Sequence, residues 1–244
     1  MVNRSDDIDD PRRRILVKAL TLGIFSAAFP RVPFGQQLFG NLPQRLPPNR
    51  SIYRMTGTVL VNGTPASTET RIFPGDIVST GPDSEVIFVV GGHAMILRSN
   101  TQLTIEARQQ EASMLISGLR MLTGKLLSVS RESQVQLMTQ TASVGIRGTG
   151  WYAEAEPDQT YFCTCYGATD IASSADPQSR TTVVSQHHDR PVYILADAAQ
   201  GQAIRDAPFI NHTDQELALI EALVGREPPF VFFREDYIGP QREY

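Results

Sequence analysis

The sequence has few cysteines and no excess of positive charge, and both shortages limit what the protein can be. Cys163 and Cys165 are the only cysteines among 244 residues, and a single residue separates them. A disulfide between two residues this close in sequence is strained, so the chain is not a disulfide-linked scaffold. The net charge is −4 at pH 7. Nucleic-acid binding requires a clustered basic face, so this charge argues against it.

Sequence motifs of the common enzyme classes are also missing. There is no G-x-S-x-G nucleophile elbow, no H-E-x-x-H zinc-protease motif and no EF-hand calcium loop. Ser185, His187 and Asp189 lie close together in sequence, but spacing alone does not predict the geometry of a hydrolytic triad. The glycine-rich residues 144–151 lack the lysine and hydroxyl pair of a phosphate-binding loop. We therefore predict a non-enzymatic protein.

Residues 1–30 are typical of an export signal. The arginines at positions 12–14 are followed by Ile15 and Leu16, and an apolar run then extends to Phe29. This order resembles a twin-arginine signal, which predicts export across the cytoplasmic membrane of a bacterium to the periplasm. The run contains Lys18 and is shorter than the ~20 residues of a membrane-spanning helix. Two alternatives stay open: an ordinary amphipathic helix, and an uncleaved signal that anchors the protein to the membrane.

Residues 31–50 are rich in proline, glycine, asparagine and glutamine. Proline removes backbone donors and favours extended conformations, so this segment is predicted to be a semi-stiff linker. Residues 51–175 then contain strand-sized runs separated by turn residues. Residues 58–61 are followed by the turn pair Asn62-Gly63, the run 85–90 ends at a glycine pair, and residues 102–106 alternate between apolar and polar. With no long helical pattern among them, these runs predict an all-β domain, either a β-roll or a short β-solenoid.

Several blocks of this β-rich region resemble successive parts of the FecR domain. The matching blocks are residues 57–59 with Asn62-Gly63, 74–81, 84–88, 119–125 and, most specifically, 142–149. They cover the region from residue 53 to residue 172 and follow the order of the family. The resemblance implies an extracytoplasmic β-domain, found in regulators that relay signals from outer-membrane transporters to sigma factors. It implies no catalytic residues.

The two cysteines lie in residues 160–167, a run that is predicted to be a strand. Side chains two residues apart on a strand project from the same face, so both thiols should point the same way. His187 and His188 follow after a polar loop. Two thiolates and two imidazoles suit a tetrahedral zinc ion, and the same set could hold an iron–sulfur cluster. We predict a metal site made of Cys163, Cys165, His187 and His188.

Other interpretations of these residues stay open. Cysteine is often a small buried hydrophobic residue, so the pair could be purely structural. A redox role is a further alternative. Adjacent histidines on a strand would point to opposite faces, and the two are also compatible with a polar turn. Residues 176–210, which contain them, are interpreted as a strand and loop extension of the β-domain.

Residues 211–244 are predicted to hold one helix and an aromatic tail. Thr213 and Glu216 have the spacing of a capping box, and Gly225 followed by Pro228 ends the helical pattern. An apolar stripe at helical spacing is expected to pack on the body. The members of the stripe are Leu217, Ile220, Leu223 and Val224. The aromatic residues of the tail are Phe230, Phe232, Phe233 and Tyr237, which we expect to pack on the body or to contact a partner.

Together these patterns predict an exported, non-enzymatic, FecR-like binding or scaffold protein of the bacterial cell envelope with a protein partner. One alternative is an exported protein that binds zinc or an iron–sulfur cluster through the cysteines and histidines. A further alternative is an envelope regulator related to the sigma-factor relay.

Overall fold

The computed structural model describes residues 43–110 and 113–230 of the chain. The predicted export signal, most of the predicted linker and the tail residues Phe232, Phe233 and Tyr237 lie outside these residues. In the part of the chain that is described, no helix is both long enough and apolar enough to cross a membrane.

The described residues form strands and one helix, which confirms the predicted all-β class with a C-terminal helix. The strands are β1 (Ile52–Thr56), β2 (Val59–Val61), β3 (Thr64–Pro65), β4 (Ile77–Thr80), β5 (Glu85–Val90), β6 (His93–Leu97), β7 (Gln102–Gln110), β8 (Ser113–Met121), β9 (Gly124–Met138), β10 (Ala142–Ala155), β11 (Gln159–Ser173), β12 (Arg180–Ser185), β13 (Val192–Leu195) and β14 (Ile204–Asp206). The helix is α1 (Asp214–Leu223).

All of these strands belong to one sheet, which divides at β9. The main path runs β14-β13-β11-β10-β9-β8-β7-β4-β2-β3, and β12 pairs with β11. Residues 126–129 of β9 pair with β6, which continues through β5 to β1. Residues 136–138 of the same strand pair with β8, in parallel. The sequence runs 124–130 and 133–138 each predict a strand, but the structure has a single strand of 15 residues there, which is β9.

The branches of the sheet enclose the main apolar core. Buried side chains from both branches, including Phe88, Leu103 and Leu137, join Trp151 and Phe162 in one cluster. The Trp151 and Phe162 rings are stacked, with their centroids 5.7 Å apart. Because strands from both branches contribute to this cluster, the sheet is curled around it.

A second apolar cluster lies on the opposite face of the central strands. It joins Tyr152 of β10 and Tyr161 of β11 to Leu217 and Ile220 of α1. The predicted capping box of this helix is present, since Thr213 and Glu216 each accept a hydrogen bond from the other's backbone N–H. Gly225 has φ 72° and follows the end of the helix, as expected for a residue in this conformation. The strands β10 and β11 are therefore buried on both faces.

The glycine-rich residues 144–151 form the middle of β10. The register of β10 against both neighbouring strands shifts between Arg147 and Gly150, and Gly148 has φ 58°. This is a β-bulge, for which glycine is suited because it tolerates positive φ. Arg147 lies on the surface and its guanidinium is 3.1 Å from a carboxylate oxygen of Asp170 on β11. The glycine-rich residues 144–151 therefore determine the local geometry of the sheet.

We expect Gly150→Ala to destabilise the fold by about 1–3 kcal/mol through overpacking. A Cβ at position 150 would lie 2.4 Å from Cε1 of Tyr166, whose hydroxyl donates to Glu221. Gly145→Ala is the matched control in the same strand, because its Cβ would lie 3.7 Å from the Cβ of Asp170, an ordinary contact. The measurement is urea unfolding of both variants. Equal losses of stability in the two variants would contradict the predicted clash between a side chain at position 150 and Tyr166.

Candidate metal centre

Two buried thiols lie side by side on β11. Cys163 and Cys165 are fully buried and belong to the apolar cluster under α1. They point to the same face of the strand, as their spacing predicts. Both are free cysteines, not joined in a disulfide. The two sulfur atoms therefore meet the same neighbours, which come from the turn after β12 and from the segment before α1.

The turn between β12 and β13 brings His188 to these thiols. The carboxylate of Asp189 accepts hydrogen bonds from the backbone N–H groups of Gln186 and His187 and so fixes the turn. The backbone N–H of His188 donates to the carbonyl oxygen of Cys165 at 2.9 Å. His188 itself has φ 54°, a left-handed conformation that few residues other than glycine adopt. Such strain is common at functional sites.

The segment between β14 and α1 contributes a second imidazole, that of His212. The residue is fully buried, and its ring stacks on Tyr152 with the centroids 4.5 Å apart. Its Nε2 atom lies 3.3 Å from Sγ of Cys165 and 3.2 Å from Nδ1 of His188. Sγ of Cys163 is in turn 3.4 Å from the same Nδ1 atom. We call Cys163, Cys165, His188 and His212 the Cys₂His₂ group.

The distances within this group match those of a tetrahedral metal site. All four donor atoms lie within 4.8 Å of one another. Zinc bonds of ordinary length give tetrahedral edges of ~3.3 Å between two nitrogens, ~3.5 Å between nitrogen and sulfur, and ~3.8 Å between two sulfurs. The observed nitrogen–nitrogen distance is 3.2 Å, and the two nitrogen–sulfur contacts are 3.3 and 3.4 Å. The Cys₂His₂ group could therefore hold a metal ion with little rearrangement.

The second ring nitrogen of each histidine has a hydrogen-bond acceptor outside the group. Nε2 of His188 is 2.9 Å from a carboxylate oxygen of Asp214, and Nδ1 of His212 is 2.7 Å from the carbonyl oxygen of Ile210. These acceptors require the proton on the outer nitrogen of each ring. In the neutral form of each ring, which is the form that binds a metal, the inner nitrogen would then carry the lone pair that faces the thiols. Histidines that bind metals almost always have this arrangement.

The pKa values of the two thiols move in opposite directions. Burial acts to raise the pKa of Cys163, but hydrogen bonds from the other three members of the group outweigh it and hold this pKa well below its usual range. Burial raises the pKa of Cys165 well above its usual range, and the neighbouring thiolate of Cys163 adds to the effect. The thiolate form is therefore favoured at Cys163, and metal binding would displace the proton of the Cys165 thiol and the inner ring proton of His188.

Asp214, the first residue of α1, supports the histidines. It is fully buried, and burial acts to raise its pKa, but hydrogen bonds from His188 and His187 lower it. Burial acts to lower the pKa of His188, whereas its hydrogen bonds to Asp214 and Cys163 raise it to about 9. The carboxylate is thus ionised and paired with the turn that carries His188.

The structure brings together three of the four predicted site residues, Cys163, Cys165 and His188. The fourth, His187, lies outside the Cys₂His₂ group: its Nε2 atom is 2.9 Å from the other carboxylate oxygen of Asp214, and its side chain is 34% exposed. His212 takes the fourth position. The sequence offered one signal for it, because the chain has only four histidines and His212 directly precedes the capping box of α1.

A polar network next to the centre joins the same C-terminal segment to the sheet. Arg98, at the end of β6, donates to both carboxylate oxygens of Glu216, at 2.9 and 3.0 Å, and to the carbonyl oxygen of Asn211. It also donates to the hydroxyl of Tyr152, which donates to Glu154 at 2.6 Å. Arg98 and Glu216 are only 13% and 16% exposed. The segment between β14 and α1 is therefore attached to the sheet at two places, at the Cys₂His₂ group through His212 and at Arg98 through Asn211.

Comparisons with known proteins give a distant similarity in fold. No protein-family model matches the chain, and no curated protein matches it. Two crystal structures of a candidate anti-sigma factor from Parabacteroides distasonis, at 2.50 and 1.65 Å resolution, are similar with TM-scores of 0.43 and 0.42. In both comparisons the sequences are 13% identical over 54% of this chain and 58% of that chain. The chain thus matches less than two thirds of the length of that protein.

Proposed function

We propose that this protein binds one zinc ion through the Cys₂His₂ group and that the ion has a structural role. The observation that carries the proposal is the arrangement of the four donor atoms. They come from three separate parts of the chain and lie within 4.8 Å of one another, and three of their six separations, at 3.2 to 3.4 Å, correspond to edges of a zinc tetrahedron. The outer nitrogens of both histidines are also already hydrogen-bonded, as a metal ligand requires.

The same distances favour a single ion over an iron–sulfur cluster. In a two-iron cluster with two cysteines and two histidines, the thiolates bind one iron and the imidazoles bind the other. The bridging sulfides would then separate the sulfur donors from the nitrogen donors. In this structure the two kinds of donor are in contact, at 3.3 and 3.4 Å. Among single ions, zinc is typical of four-coordinate sites made of cysteine and histidine.

The closed ligand set supports a structural role. Catalytic zinc sites have three protein ligands and an open position for water or substrate, whereas structural sites have four protein ligands. All four members of the Cys₂His₂ group are buried. A bound ion would join β11 to the turn after β12 and to the segment before α1. This supports our further proposal that the protein is not an enzyme.

A binding or scaffold role in the cell envelope is our second proposal. The FecR-like blocks and the predicted export signal support it, and so does the exposure of large apolar side chains on β4, on β8 and in the turn before β4. Phe73 is 50% exposed, Ile77 39%, Met114 51% and Leu115 39%. The sigma-factor relay is a narrower form of the same proposal.

Elemental analysis of the purified protein tests the zinc proposal. We expect one zinc per chain, and we expect Cys163→Ser to lose it because serine does not replace a thiolate ligand. Ser128→Ala, on β9 two strands away from Cys163, is a control at another buried residue and should keep its zinc. Substoichiometric metal in the unmodified protein, even after refolding with added zinc, would refute the proposal.

A further inference from the structure

Three arginines, none with a carboxylate oxygen closer than 4.0 Å among the described residues, line one cavity at the C-terminal end of α1. The cavity has a volume of about 240 Å³, and its charged residues are Arg45, Arg50 and Arg71. None of its described lining residues is an aspartate or a glutamate. In a chain whose net charge is −4, a concave site with three positive charges is unusual. Such a site concentrates anions because the fields of the three guanidinium groups add.

Most of the other arginines in the described residues do have carboxylate partners. Six of them have guanidinium nitrogens 2.8 to 3.3 Å from a carboxylate oxygen, namely Arg54, Arg98, Arg120, Arg147, Arg190 and Arg226. Arg50, by contrast, is 4.0 Å from Glu69, whose side chain is 81% exposed. Its Nε atom is buried without a hydrogen-bond partner among the described residues. Arg45 and Arg71 are exposed and have no carboxylate oxygen within 4.0 Å among the described residues, so these two guanidinium groups are available to an external anion.

The remaining walls of the cavity are apolar and firmly held. Leu46, Ile72 and Leu223 are buried there, and Phe73 is half exposed under the guanidinium of Arg71, at 5.0 Å. Backbone hydrogen bonds fix this arrangement: Leu46 donates to Leu223 at 2.9 Å, and Ser51 Oγ accepts from the N–H of Ile72 at 3.0 Å. A ligand must therefore offer an apolar group next to its negative charge.

We propose that this cavity binds an acidic peptide segment in which a carboxylate is next to an aliphatic side chain. Guanidinium groups form paired hydrogen bonds with carboxylates, which explains why arginine serves here. The cavity is smaller than typical sites for whole small molecules, but it has room for one or two side chains of a peptide. This inference gives a location and a chemistry to the proposed binding role, and it does not depend on zinc.

The test uses the full chain, zinc-loaded, and a fluorescein-labelled octapeptide of alternating glutamate and leucine. We expect saturable binding by fluorescence anisotropy, weaker at high salt, and at least about ten-fold weaker for the matching glutamine–leucine peptide. The double variant Arg45→Gln/Arg71→Gln should lose about ten-fold or more in affinity. Arg108→Gln/Arg205→Gln removes the same charge from exposed positions elsewhere and should bind like the unmodified protein.

Equal peptide affinity in both double variants would overturn the inference, and so would failure of the acidic peptide to bind. A third outcome would also overturn it. If the protein bound vesicles of phosphatidylglycerol but not the peptide, and the double variant Arg45→Gln/Arg71→Gln lost the vesicle binding, the site would be a membrane contact. Zinc content, measured on the same samples, separates this test from that of the metal centre. A protein that binds one zinc but no peptide refutes only the cavity.

Discussion

Replacing His212 by glutamine is expected to abolish stoichiometric zinc binding. His212 supplies the fourth donor of the Cys₂His₂ group, with its Nε2 atom 3.3 Å from Cys165 Sγ. A ligand that binds only the folded state stabilises it by about 4 kcal/mol when its free concentration is 1000 times its dissociation constant. The variant should lose this stabilisation in full. The measurement is urea unfolding with and without added zinc, together with the zinc content.

His187→Gln is the matched control, and it separates the ligand set seen in the structure from the set predicted from the sequence. His187 contacts Asp214 and not the thiols, so this variant should keep one zinc per chain. Its affinity should fall modestly, because Asp214 loses one of two hydrogen bonds and also holds His188. Loss of zinc in His187→Gln with retention in His212→Gln would contradict the structural assignment.

The second large effect is expected for Arg98→Met, which should destabilise the protein by about 3 kcal/mol. Removing one partner of a buried ion pair leaves the other charge without compensation, and this typically costs ~3–5 kcal/mol. We take the low end because Arg98 and Glu216 keep 13% and 16% of their side-chain surface exposed. The loss includes the hydrogen bonds from Arg98 to Tyr152 and to the carbonyl oxygen of Asn211.

Arg54→Met is the control for this substitution. Arg54 pairs with Glu85 at 3.3 Å, but its side chain is 61% exposed, so the variant should lose at most ~1 kcal/mol. The double variant Arg98→Met/Glu216→Gln should be more stable than the sum of the two single losses predicts, because the unpaired charge is removed. Hydrogen exchange would locate the effect in the segment before α1. Uniformly faster exchange across the whole sheet would contradict the inference that Arg98 mainly holds the segment before α1.

Local patterns predicted much of the fold from the sequence. The run 85–90 is β5 to the residue, and the spacing of Thr213 and Glu216 identified the start of α1. Both signals act over a few residues, where chain geometry determines which side chains meet. The division of the sheet at β9 was not predicted, because it depends on pairings with distant strands.

β9 shows how backbone pairing can override a side-chain pattern. The polar residues at positions 131–133 interrupt the apolar alternation, and the sequence therefore predicted two strands. In the structure the backbone continues, because Ser130 and Gln134 both pair with β10 across its bulge. Residues 131–133 themselves have no partner in the β9–β10 register. The ladder on either side of them, which does not depend on the identity of the side chains, keeps the strand continuous.

The metal centre was predicted in part, because only some of its ligands are placed by local chain geometry. The side-by-side position of Cys163 and Cys165 follows from the period of a strand. The choice between His187 and His188 was beyond the sequence, since it depends on the positive φ of His188 within its turn. His212 was missed because it reaches Cys165 across 47 positions, and only the path of the chain after β14 brings them together.

The central claim is that one zinc ion is bound by two sulfurs and two nitrogens of this chain. X-ray absorption at the zinc edge tests it most directly, because the first coordination shell gives both the type and the distance of the ligands. We predict two sulfur ligands at ~2.3 Å and two nitrogen ligands at ~2.0–2.1 Å. A shell without sulfur, or one of five or six oxygen and nitrogen atoms, would contradict the account.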